Sequence, residues 1–113
     1  MKHKVVLVPF PFDDLSSTKV RPAVCLTEPI GEHKHVVLAF ITSRVPDKPL
    51  PTDLIFTETD KNFSTTGLRV SSTLQLHRMM TVAANIIVRE LGSLPKPTQK
   101  EAEGKLKLLF GIK

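Results

Sequence analysis

The sequence of 113 residues contains a single cysteine. Cys25 alone can close no internal disulfide and build no zinc site. It lies in the apolar run Ala23-Val24-Cys25-Leu26, where a small buried hydrophobe is expected. A reactive thiol would want a cationic, partly exposed setting. Long apolar runs are also missing; a membrane-spanning helix needs about 20 such residues. Lys2-His3-Lys4 ahead of residues 5–12 faintly imitates an export signal. Pro9 and Pro11 interrupt that stretch, Asp13-Asp14 follow it, and no small-residue cleavage site comes after. The expectation is a cytoplasmic protein with no membrane association. There is no Gly-rich phosphate loop, no paired-Cys metal spacing and no His-Glu-x-x-His, and His3, His33, His35 and His77 are dispersed. No metal or other cofactor is expected.

Hydrophobic residues make up 41% and charged residues 24%, ordinary values for a folded globular chain. The length suits one domain over residues 1–113, able to bury roughly 60–70% of its unfolded surface. Sixteen basic residues oppose eleven acidic ones, for a net charge of +5. Such a surface attracts polyanions, so nucleic acid and acidic proteins are the partner classes to consider.

Strand-like runs occur at residues 4–9, 21–27, 35–41, 53–57, 68–76 and 79–83, the last two meeting at a bend near His77. Pro9 and Pro11 end the first or place it at a sheet edge. Pro29-Ile30-Gly31-Glu32 signals a turn, residues 13–19 a polar loop, and three prolines make residues 46–51 irregular. Asn85 is expected to cap a short helix through Leu91, with Gly92 at its end. A last helix is expected from Thr98, with Thr98 and Glu101 in capping-box spacing. Its core face would be Ala102, Leu106, Leu109 and Phe110. Short strands followed by terminal helices predict a mostly β fold, a small barrel with helical decoration.

If the second and third strands form a hairpin about Gly31-Glu32, Arg21 falls opposite Thr42, and directly opposed Cβ atoms are roughly 4.5–5.5 Å apart. A guanidinium and a hydroxyl would then meet at the open end of one hairpin. Arg gives bidentate, charge-assisted bonds to phosphoryl oxygens, and Thr or Ser adds donors. The same residues admit a plainer reading, in which Arg21 pairs with Asp13 or Asp14 and Thr42 is an ordinary strand residue.

At these residues the chain resembles the MazF/PemK toxins. Val6-Leu7-Val8-Pro9-Phe10-Pro11-Phe12-Asp13-Asp14-Leu15 followed by Lys19-Val20-Arg21-Pro22-Ala23-Val24 is similar to their amino-terminal signature. Ala39-Phe40-Ile41-Thr42-Ser43 resembles their third strand, and Thr66-Gly67-Leu68-Arg69-Val70 their Thr-Gly-Leu segment. Arg89-Glu90-Leu91-Gly92 and the closing helix to Gly111-Ile112 fit their carboxy-terminal part. The likeness covers nearly the whole chain, and the ordered set is more specific than any piece.

The resemblance implies an SH3-like barrel of the CcdB/PemK type with a carboxy-terminal helix, and a homodimer. It implies metal-independent cleavage of single-stranded RNA at short sequences by attack of the neighbouring ribose hydroxyl. It implies a cognate acidic antitoxin, bound over the RNA groove. Arg21 matches the family arginine at the scissile phosphate, and Thr42 the threonine beside it, with Ser43 next. His77 is a third catalytic candidate, on the alternating stretch after Thr73 and Gln75; an exposed bend histidine without a role is the alternative. Lys19, Ser43, Arg44, Arg69, Gln75 and Arg78 are candidates for RNA contact. The chain departs from the family pattern at His3-Lys4, where many members have a Gly–acid pair, and at Ser17, near which a Gly is common. His77 stands where some members have a carboxylate, and Met80-Thr81-Val82-Ala83 replaces an Arg-Thr-Ile-Asp segment. Two other functions remain open at this point: a non-enzymatic CcdB-like inhibitor that binds DNA gyrase, and a degenerate RNA-binding module without turnover.

Overall fold

The computed structural model describes residues 1–10 and 19–113, with Phe10 as backbone only. Most of the polar loop expected at residues 13–19 lies outside the described residues, as does Pro11. Six strands pair in one antiparallel sheet: β1 Lys4–Phe10, β2 Lys19–Cys25, β3 His35–Thr42, β4 Asp53–Phe56, β5 Ser72–Ala83 and β6 Arg89–Ser93. Their order across the sheet is β4-β5-β3-β2-β1-β6, and the sheet curls into a half-barrel. Short 3-10 turns at Phe63–Thr66 and Ala84–Ile86 precede β5 and β6, and one helix, α1, covers Lys96–Phe110.

Successive strand residues point to opposite faces, and the β-branched runs here are apolar on both. Val5, Val24, Ala39, Ile41, Leu74 and Leu76 form one buried cluster with Leu94 and Ala102. Val6, Val8, Ala23, Cys25, Val36, Leu38 and Phe40 form a second. Cys25 is fully buried, and burial pushes its thiol up to about 11, as expected of a packing residue.

Across β2 and β3, Ala23 pairs with Phe40, Val24 with Ala39 and Cys25 with Leu38. This is the register of the expected hairpin; the ladder ends at Ala23 and Phe40, and Arg21 and Thr42 beyond it line one pocket. At the closed end, Gly31 takes a positive φ of 73° and Lys34 one of 53°, and the Lys34 amide donates to the Gly31 carbonyl at 3.2 Å. Pro9 sits in β1 beyond Leu7, the last residue that β6 pairs. It therefore withholds no ladder bond from that neighbour.

Three local expectations fail, each for a tertiary reason. Residues 85–91 do not form a helix; Arg89 and Glu90 pair instead with Leu7 and Val6 of β1. A helix that short is marginal by itself, and the free side of β1 offers backbone partners that outweigh a cap signal. Gly92 consequently lies in β6 opposite Val5. Residues 68–71 lie outside the strands, and β5 runs without a break from Ser72 through the anticipated bend. The bend survives as a bulge: Ala39 pairs with Met79 but Phe40 with Gln75, leaving Leu76, His77 and Arg78 as extra residues. Finally, α1 starts at Lys96 without a side-chain cap, so Thr98 and Glu101 are not a capping box. Pro97 explains the earlier start, because a first-turn proline lacks only an N–H that would be unpaired anyway. On α1, Ala102 is buried and Leu106 and Leu109 pack against the first cluster, but Phe110 is 61% exposed and leaves the expected stripe.

The edge of β6 is sheltered by the Phe63–Thr66 turn, and the approach is close enough to demand two glycines. A Cβ on Gly67 would stand 2.1 Å from the Leu91 carbonyl oxygen, and one on Gly92 2.3 Å from that of Thr65. Gly67 also has a φ of 74°. Gly92→Ala should therefore force the turn off the strand and cost about 1–3 kcal/mol of stability. A urea melt should show a lower midpoint at an unchanged slope; an unshifted midpoint would mean the two segments are not tightly apposed.

Candidate nucleic-acid interface

Two pockets open at the exit end of the β2–β3 hairpin and share Arg21, Ile41 and Ser43. The larger, about 850 Å³, is lined by Thr42, Arg44, Gln75, Arg78 and Asp47 beside the shared residues. The smaller, about 290 Å³, is lined by Pro22, Gly67, Leu68, Arg69, Arg89 and Leu91 among others. Arg21 and Ser43 thus stand on the ridge between them.

The fold brings together most of the residues singled out in the sequence. Arg21, Thr42, Ser43, Arg44, Gln75 and Arg78 meet around the larger pocket, and Arg69 joins Arg21 and Ser43 at the smaller. Lys19 is exposed at the start of β2 and lines neither. His77 is exposed on the β5 bulge and also lines neither, although its neighbour Arg78 does. Thr73 is fully buried rather than on an open face with Gln75.

Backbone contacts explain the shape of the site. β3 ends at Thr42, whose Oγ1 accepts the Arg44 amide at 3.3 Å. Accepting that bond leaves the Thr42 hydroxyl proton available to a ligand. Thr73, paired with Thr42 across the strands, donates its hydroxyl to the Arg44 carbonyl at 2.7 Å. Arg44 is thus held on both sides of its backbone. Gln75 faces Asp53 on β4, and its buried Oε1 has no hydrogen-bond partner, leaving an unsatisfied acceptor at the pocket wall.

Charge is sorted across the molecule. The amino terminus pairs with Glu28, Lys2 with Glu103, Lys4 with Glu90 and Lys105 with Glu101. Among the described residues, Arg21, Arg44, Arg69, Arg78 and Arg89 have no ion-pair partner, and Asp47 is the only acid lining either pocket. The alternative pairing of Arg21 with Asp13 or Asp14 lies outside the described residues. Uncompensated guanidinium groups at concave surfaces focus a positive potential and favour phosphates. Elsewhere, His3 packs beside Glu103 and has its pKa lowered, first by burial and then by Lys2.

Among the described residues no three His, Cys, Asp or Glu side chains converge as a metal site. Nor is any described helix long and apolar enough to cross a membrane. Sequence reasoning missed two residues here. Arg89 was hidden because its segment read as helical, and only β6 pairing sets it beside Arg21. Thr73 was misplaced because the burial of its face depends on β3 and β4.

Thr73→Val keeps the shape of the side chain but removes the donor to Arg44. It should cost about 0.5–1.5 kcal/mol and loosen the loop after β3. Hydrogen exchange at the Arg44–Val45 amides should speed up in the variant; unchanged protection would show that Thr73 does not hold that loop.

Comparison with known proteins agrees with this geometry. Residues 2–110 match the PemK-like, MazF-like toxins of type II toxin–antitoxin systems. The Mycobacterium tuberculosis toxin MazF-mt6 superposes with a TM-score of 0.74 at 18% identity, covering 97% of this chain and 98% of that one. An endoribonuclease solved in complex with its cognate antitoxin, from a mycobacterial species, superposes at 0.69 and 14% identity, over 100% of this chain and 96% of that one. No curated protein sequence matches the chain.

Proposed function

Because the chain belongs to the PemK-like, MazF-like toxins of type II toxin–antitoxin systems, we propose that it is an endoribonuclease that cuts single-stranded RNA without a metal ion. The observation that carries the reading is the set of arginines at two joined pockets, with Arg21, Thr42 and Ser43 at the junction. The hydroxyls of Thr42 and Ser43 beside Arg21 favour phosphate chemistry over an inhibitor that acts only by binding another protein.

The scissile phosphate sits on the ridge between the pockets. Arg21 binds its non-bridging oxygens, and the Thr42 and Ser43 hydroxyls donate to it. The ribose 2′-hydroxyl loses its proton as its oxygen bonds to phosphorus. The bond from phosphorus to the 5′-oxygen breaks, and that oxygen takes up a proton. The products are a 2′,3′-cyclic phosphate and a free 5′-hydroxyl. Arg21 stabilises the extra negative charge that develops on phosphorus's oxygens, which is the largest share of catalysis in such sites. For proton transfer the candidates are Arg21 and His77. The position of His77 outside both pocket walls favours Arg21. Gln75 lines the larger pocket, and a side-chain amide there suits a base edge.

The same positive surface suits an acidic antitoxin, and the mycobacterial endoribonuclease that shares this fold was solved in complex with its cognate antitoxin. We include in the reading a homodimer and a cytoplasmic site of action. Exposed Leu108, Phe110 and Ile112 at the end of α1 provide apolar surface for a second copy to cover.

A long RNA incubated with the protein in EDTA should be cut at discrete sites, and all-DNA substrates should not. Arg21→Ala should lower the single-turnover rate by about 10²–10³ while leaving a folded protein; cleavage at the wild-type rate would remove Arg21 from the chemistry. His77→Ala should keep the rate within a few-fold and preserve the pH–rate profile. A loss of about 10²–10⁴, with the acidic limb of the profile gone, would hand proton transfer to His77.

A further inference from the structure

The smaller pocket shares Arg21 and Ser43 with the chemistry just described, and its other residues have no part in it. Its wall includes Gly67 and Leu91, held together by the close approach that the two glycines permit. Arg69 and Arg89 line it in addition to Arg21, and among the described residues no acidic side chain does. Pro22, Leu68 and Leu91 supply apolar lining. Arg69 comes from the segment before β5 and Arg89 from the start of β6, so distant parts of the chain converge to place like charges together. Setting unpaired guanidinium groups at one pocket costs electrostatic repulsion, and a bound anion would relieve it.

We infer that this pocket is the subsite for the nucleotide on the far side of the scissile phosphate from the larger pocket, and that Arg89 is its specificity-determining residue. The inference rests on the ribonuclease reading above. The two pockets share Arg21 and Ser43, so a phosphodiester on that ridge directs one neighbouring nucleotide into each. A volume of about 290 Å³ admits one nucleotide and no more. Small-molecule sites run from roughly 300 to 1,000 Å³. Among the described residues no aromatic side chain lines the pocket, and the stacking surfaces they offer a base are the flat guanidinium groups and Pro22. The fork of Arg89 can bond either the next phosphate or an acceptor pair on the base edge.

Arg89 is exposed on an edge strand, and its replacement removes no buried contact. The test compares wild type, Arg89→Ala and Arg89→Lys on a long RNA, with cleavage sites mapped by 5′-end sequencing. Binding is measured on a short single strand carrying a 2′-deoxy nucleotide at the cut site. Arg89→Ala should raise KM roughly 5- to 100-fold, with kcat changed far less. It should relax the preference at one position adjoining the cut. The slope of log affinity against log salt should shrink by about 0.7 if the lost contact is to a phosphate. Arg89→Lys should restore the salt slope but not the preference, since a point charge lacks the fork. An active enzyme whose Arg89→Ala variant keeps the wild-type KM and cleavage map overturns the subsite while leaving the ribonuclease reading intact. A variant that binds RNA normally but loses affinity for an acidic peptide overturns it as well, and assigns the pocket to a protein partner. Wild-type protein that cuts no RNA overturns both.

Discussion

Ala23, Val24 and Cys25 face Phe40, Ala39 and Leu38 across the middle of the sheet, and a slip of one residue would turn each of them to the opposite face. Buried clusters lie on both faces of this pair, so a slip would carry the side chains of each into the wrong cluster. The register is therefore held from two sides. It also sets the geometry of the site, because Arg21 lies two residues beyond Ala23 and Thr42 two beyond Phe40. Core packing and ligand geometry depend here on one alignment of two strands.

Around that pair, irregular features shape the working surface. The β5 bulge pushes Leu76, His77 and Arg78 out of register, so Arg78 reaches the larger pocket while Gln75 stays level with Asp53. Thr73 and Thr42 grip the backbone of Arg44 from two strands. The Phe63–Thr66 turn presses on β6 through Gly67 and Gly92, which shields an open sheet edge and makes the wall of the smaller pocket. Each device serves the fold and the site at once. This is the economy open to a fold whose described residues supply one α-helix and one sheet.

The electrostatic division follows the same plan. Lys2, Lys4, Lys105 and the amino terminus are matched to glutamates away from the pockets, while the five arginines around the pockets have no such partner among the described residues. Arginine suits this position because its planar fork keeps both charge and direction when partly desolvated. The net charge of +5 is thus less informative than where its unpaired part resides.

The β-rich class, the β2–β3 hairpin and the gathering of Arg21, Thr42 and Ser43 at one pocket were legible from local sequence. Those features rest on local alternation, a turn with Gly31 and the family motifs around them, all of which are properties of neighbouring residues. An irregularity near His77 was legible too, though it is a bulge within one continuous strand and not a bend between two. Competition among distant segments for backbone partners was not legible. The free edge of β1 drew Arg89–Ser93 into a strand against a helix-cap signal, and Pro97 moved the start of α1 away from Thr98. Burial of Thr73 and the placing of Arg89 beside Arg21 and Arg69 followed from those pairings. A strand's hydrogen bonds are made to another part of the chain, so no local window of sequence contains the information that selects it.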